Sequence, residues 1–181
     1  MKCCLLLFVL FPLLSCWKYN GTPYPSSQTK VWGNKPVYAS ESEAKKILYD
    51  PQKHAIYRPG NIYAFQHFIY QVDIGRGIHV IDNSQPAIAD RIGFITVKGC
   101  EQISIKGKYL YTNSYTDLVT LDIADPLNMK ILSRIADAFP EFLYNYPLAE
   151  PEDSGYYTCP TTDSLVVGWV KDSVYMNCYK N

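Results

Sequence analysis

The chain has 181 residues, of which 48% are apolar and 19% charged, with 17 basic residues against 17 acidic ones. This balance excludes a disordered polyelectrolyte, and no basic run is present to grip nucleic acid. The length suits a single domain with its own core, and an aromatic content of 14%, rich in Tyr, tilts the class toward half-buried strands.

The chain opens with one cation, Lys2, followed by an apolar run from Leu5 to Leu14, then Ser15 and Cys16. That order is the one of an export signal, and the run is shorter than the roughly 20 residues a bilayer span needs. Residues 13–16 read Leu-Leu-Ser-Cys and resemble the bacterial lipobox. The resemblance implies cleavage after Ser15 and a lipid on Cys16, whose thiol is the required nucleophile. Two or more acyl chains then hold a protein stably, at about 0.8 kcal/mol per buried methylene. Residue 17 is Trp rather than Asp, which by resemblance to the sorting rule of diderm bacteria points to the outer membrane. Residues 16–36, rich in Gly, Pro, Ser and Asn, are expected to form a flexible tether, leaving a domain over 37–181.

Within that domain Ser40-Glu41-Ser42-Glu43 fits a capping box. Ala44, Ile47 and Leu48 follow at helical spacing before Asp50-Pro51 breaks the run, so one short amphipathic helix is predicted over 41–48. From residue 60 the period becomes two. Strands are predicted at 61–66, 68–73, 77–82 and 91–97, then at 101–106, 108–113, 117–123 and 130–136. Segments 165–170 and 174–179 read as a terminal hairpin turning through Lys171-Asp172-Ser173.

The two sets of four strands repeat at an offset of 40 or 41 residues, over about 60–98 and 101–140. Phe68-Ile69-Tyr70 matches Tyr109-Leu110-Tyr111, and Ile78 to Asp82 matches Leu118 to Asp122, with Pro86 matching Pro126. A four-strand unit of about 40 residues is the size of one propeller blade. Lys35-Pro36-Val37-Tyr38 after Trp32-Gly33, Pro59 to Tyr63, Gly75 to Pro86, Ile105 to Tyr111 and Tyr115 to Ile123 resemble, in that order, the LVIVD-repeat lipoproteins of Bacteroidetes-type bacteria. The similarity runs from about 32 to 140 and carries no defined biochemical activity. Because a closed ring takes four to eight blades and only two are present, the expected fold is all-β. Two four-stranded, blade-like antiparallel sheets pack together as an incomplete propeller or sandwich, with one N-terminal helix. The alternative is a second copy that completes the ring.

Removal of residues 1–15 leaves Cys16, Cys100, Cys159 and Cys178. Export permits disulfides, and Cys159 with Cys178 could clip the C-terminal segment to itself, leaving Cys100 unpaired. His54, His67 and His79 lack zinc spacing, so no metal site is assigned. His79 alternates with Ile78 and Val80 and is expected on the outer surface of its strand. Asp73, Asp82, Asp117, Asp122 and Asp125 recur near strand ends. Their repetition favours turn-holding over glycoside hydrolysis or calcium binding. Tyr111, Tyr115, Tyr144, Tyr146, Tyr156 and Tyr157 could line a recognition surface, with sheet packing favoured. The sequence therefore predicts no catalytic residues, no cofactor and no nucleic-acid partner. It predicts a membrane-anchored binding or scaffold module for a protein or glycan. A glycan-directed hydrolase and a purely structural envelope protein are the competing readings.

Overall fold

A computed structural model describes residues 29–143, 148–161 and 164–181. The signal, Cys16 and most of the tether lie outside the described residues, as do Tyr144 and Tyr146. Strand β1 (Lys30–Ala39) is followed by helix α1 (Glu41–Ala44) and β2 (Leu48–Asp50). The first repeat forms β3 (Pro59–Phe65), β4 (Phe68–Asp73), β5 (Gly77–Asp82) and β6 (Asp90–Thr96). The second forms β7 (Ile103–Lys106), β8 (Tyr109–Ser114), β9 (Asp117–Asp122) and β10 (Lys130–Ile135). Three further strands close the chain: β11 (Gly155–Tyr157), β12 (Leu165–Tyr175) and β13 (Cys178–Lys180). Among the described residues the protein is thus all-β with one short α-helix, and each repeat is an antiparallel meander.

The repeats share more than sequence. Asp82 Oδ1 accepts the Ser84 N–H at 2.8 Å, and Asp122 Oδ1 accepts the Ala124 N–H at 3.0 Å. Each Asp thus holds the turn leading to a 3-10 segment that starts at Pro86 or Pro126. The register of β5 on β6 shifts past Ile92, and that of β9 on β10 past Leu132. These two bulges also lie 40 positions apart, so the repeat extends to a local irregularity that composition does not show.

One apolar core unites the two sheets. Tyr70, Val72, Ile78, Val80 and Ile95 from the first meet Ile103, Leu110, Val119 and Leu121 from the second. The first strands of the repeats are clasped by Asn61 of β3. Its amide donates to the Ile103 carbonyl at 2.8 Å and accepts the Ile103 N–H at 3.1 Å.

The structure corrects four expectations. The stretch read as tether becomes strand from Lys30 onward, and β1 pairs with β12 along its length. Pro36 is tolerated there because β11 pairs with β1 only at Asn34, so the missing N–H faces no ladder partner. The terminal hairpin is replaced by one continuous strand, β12. Asp172 and Ser173 do not turn; they pair with Gly33 and Trp32, and Lys35 bonds Asp172 at 3.0 Å. With β11 and β13 these strands make a third sheet, ordered β12-β1-β11-β13. The helix ends at Ala44 rather than at residue 48. Ser40 does cap it, accepting from the Glu43 N–H. Ala44 and Ile47 are buried as expected, but Leu48 is exposed, because β2 joins the edge of the first sheet beside β6 and makes it five-stranded.

The fourth correction concerns His79. It does lie on the face opposite Ile78 and Val80, yet it is 0% exposed. The reason is topological. β2 sits at one edge of the first sheet and β3 at the other, so residues 51–58 must cross the sheet face as a strap. His54 of the strap stacks on Phe94 with centroids 4.8 Å apart, and Phe94 lies against His79 at the same separation.

A smaller cluster seats the third sheet. Tyr115, Ala44, Leu148 and Val166 pack together, and the Tyr115 hydroxyl donates to the Val166 carbonyl at 3.2 Å. Among the described residues no helix is long and apolar enough to cross a membrane.

Candidate binding cleft

Where the third sheet meets the first repeat, a cleft of about 430 Å³ opens. Its walls come from distant parts of the chain. The β4–β5 turn supplies Arg76, and the segment after β6 supplies Lys98. Residues 148–153 supply Glu150, Glu152 and Asp153, while β1 and β12 supply Asn34, Trp169 and Lys171.

Each wall has a local reason for its place. The β4–β5 turn is fixed by Gly75, at φ 83°, whose N–H donates to the Cys100 carbonyl at 2.6 Å. This projects Arg76 outward. Its guanidinium donates to Glu152 at 2.9 and 3.3 Å and lies 4.0 Å over the Tyr57 ring. Trp169 is half-buried, donates Nε1–H to the Leu148 carbonyl at 3.1 Å and meets Tyr157 edge-on at 5.5 Å. Lys171 pairs with Asp153 at 2.9 Å. Lys98 and Glu150 have no ion pair among the described residues. Asn34 is buried, and its Nδ2 has no hydrogen-bond partner among the described residues. An unsatisfied buried amide is costly, so it marks the site where a ligand acceptor would be gained.

The acidic wall is tied down from behind. Cys159 and Cys178 are joined in a disulfide, and Lys180 donates to the Pro151 carbonyl at 2.6 Å. Cys100 is a buried free thiol beneath the first repeat, and burial pushes it up to about 12.

The aspartates singled out in the sequence divide by role. Asp82 and Asp122 hold turns; hydrogen bonds from Ser84 keep the Asp82 carboxyl below the usual range, and at Asp122 the Lys108 hydrogen bond does so, helped by the Ala124 N–H. Asp125 caps its 3-10 turn through the Leu127 N–H. Asp117 is buried under Lys45 and Arg134. Asp73 accepts the N–H groups of Tyr57 and Arg58 and so pins the strap. None of these five lines the cleft. Of the tyrosines, Tyr115 and Tyr157 are buried in packing, and Tyr156 stacks on Tyr179. The cleft residues Arg76 and Trp169 carried no sequence signal as a pair, since only the fold brings them together.

His79 lies 3.5 Å from Asp73, and among the described residues neither of its ring nitrogens makes a hydrogen bond. Burial pushes the imidazole below its ordinary value; Asp73 opposes this, while Arg91 and His54 add to it. An unfolded histidine takes up a proton near pH 6.5, whereas the folded one does so only at lower pH. Between those values the unfolded chain binds more protons, so stability falls as pH drops through about 6.5. Thermal melts from about pH 7 to 5.5 should show a falling Tm, and His79→Gln should flatten that slope. An unchanged slope in the variant would assign the effect to other groups.

Comparison of the chain with protein-family models, with curated proteins and with solved structures returned no match.

Proposed function

We propose that this protein is an exported, lipid-anchored binding module of the LVIVD-repeat type, held to the envelope by Cys16 and engaging its ligand in the cleft around Trp169. The observation that carries this reading is the cleft itself. It combines a half-buried indole, a buried amide without a partner among the described residues and charges drawn from four separate segments. Concave sites with a few convergent polar groups are where ligands dock. The disulfide beside its acidic wall supports an oxidising, exported setting. A hydrolase would need two carboxylates free to work on a substrate. In this cleft Glu152 and Asp153 are each engaged by a cation, which favours binding over hydrolysis. Trp17 directly after the lipidation site supports placement at the outer membrane.

Photo-crosslinking in the native envelope tests the reading. A benzophenone side chain at Lys171 should form adducts that disappear when Trp169→Ala is added. The same group at exposed Leu127, on the second repeat, should form none. Equal adducts from both positions, indifferent to Trp169, would overturn the assignment of the cleft.

A further inference from the structure

Resting on the reading of the cleft as a binding site, we infer that its ligand is a neutral oligosaccharide, laid across Trp169 and the exposed indole of Trp32. Two observations lead there. The first is charge. Arg76, Lys98 and Lys171 stand against Glu150, Glu152 and Asp153, three cations against three anions. Two of each sign are already paired with one another. Such a lining offers no net field to attract an ion, but it offers many donors and acceptors. That suits a ligand rich in hydroxyl groups, each of which can both donate and accept.

The second observation is register. Trp32 pairs with Ser173, Asn34 with Lys171 and Pro36 with Trp169. Directly paired residues of antiparallel strands share a face, and the side-chain period is two. One face of the β1–β12 ladder therefore runs Trp32, then Asn34 with Lys171, then Trp169. The outer indole is 74% exposed, and Tyr175, 45% exposed, lies on the same face with Lys30 5.0 Å over its ring. Four strand steps separate Trp32 from Pro36, the partner of Trp169, so the two tryptophan positions lie about 13 Å apart along the ladder. The span is too long for one sugar ring and fits a chain of them. A sugar ring presents an axial C–H face to stack on an indole and equatorial hydroxyls at its rim. Asn34, whose Nδ2 has no partner, and the ammonium of Lys171 lie between the two platforms to meet those hydroxyls. A peptide would use the charges but leaves two tryptophans spaced along one face of the ladder without a purpose.

The full chain in detergent micelles provides the test. Tryptophan fluorescence and calorimetry would follow titration with cellohexaose, xylohexaose, laminarihexaose, mannohexaose and chitohexaose, with a neutral hexapeptide and an oligogalacturonate as contrasts. At least one neutral hexasaccharide should bind. Trp169→Ala should weaken it about tenfold, as loss of one stacked aromatic implies, and Trp169→Tyr should restore most of the affinity. Trp32→Ala should weaken the hexasaccharide by a similar factor yet leave the matching disaccharide unchanged. No response to any neutral sugar would overturn the inference, and binding of the peptide or the oligogalacturonate in that case would leave the cleft as a binding site. Sugar binding indifferent to Trp169→Ala would overturn both. A Trp32→Ala variant that loses binding to phosphatidylglycerol vesicles, with sugar affinity intact, would assign that indole to the membrane surface and overturn its platform role.

Discussion

Replacing Asp117 with Ala should lower the unfolding free energy by about 3–5 kcal/mol, the cost of breaking a buried ion pair from one side. Asp117 is 1% exposed. Its carboxylate accepts Lys45 Nζ at 2.9 Å, Arg134 Nη1 at 2.9 Å and the Asp137 N–H at 3.3 Å. Arg134 also donates to the Lys45 carbonyl at 2.8 Å, and Lys45 reaches Glu41 at 2.6 Å. One carboxylate therefore ties the helix to β9 and β10, and its loss leaves two cations facing each other around a cavity. Burial pushes the Asp117 carboxyl up, but hydrogen bonds from Lys45, Arg134 and Asp137 outweigh it and bring the group below its ordinary value. A depressed carboxylate contributes stability above the unfolded value near 3.9 and loses it as pH falls through the folded one. The Asp117 contribution should thus vanish in acid, well below the window in which His79 acts. Chemical denaturation at neutral pH checks the magnitude. The comparison is Asp122→Ala, which removes only a turn contact and a Lys108 pair near the surface and should cost clearly less. Equal losses in the two variants would show that Asp117 is no more than another turn residue.

The second large effect belongs to the disulfide. Cys159 and Cys178 are 19 positions apart, and closing a loop of that size stabilises by about 3 kcal/mol on the chain-entropy account. Cys178→Ser should therefore lower the unfolding free energy by about that amount, and reductant should do the same to the natural chain without further effect on the variant. The loss should also reach the cleft, because β13 pairs with β11 and holds the segment bearing Glu152 and Asp153. A variant with unchanged stability and an unchanged response to reductant would remove the clip from the account.

The eight repeat strands were legible because their information is local. Each is a short run rich in β-branched, aliphatic or aromatic residues between turn formers, and β4 and β5 match their predicted bounds residue for residue. The third sheet was not legible because its pairing is distant: Lys35 meets Asp172 across 137 positions. Within β1, Gly33, Asn34 and Pro36 imitate a loop, and within β12, Lys171-Asp172-Ser173 imitates a turn. Only the partner strand shows otherwise. His79 illustrates the same limit from another side. Its face followed from period two, but its burial depends on a strap imposed by the edge positions of β2 and β3. The cleft inherits this non-locality. Gly75-Arg76-Gly77 was legible as a turn, and the fold alone decides that Arg76 meets Glu152.

The claim on which compartment, disulfide and function rest is that Cys16 carries the protein's lipid. Metabolic labelling with a clickable fatty acid, on the natural chain and on Cys16→Ala, addresses it most directly. The account predicts label on the natural chain, a mature sequence starting at residue 16, and no label on the variant. Equal label on both, or a natural chain that keeps Met1 and carries none, would contradict it.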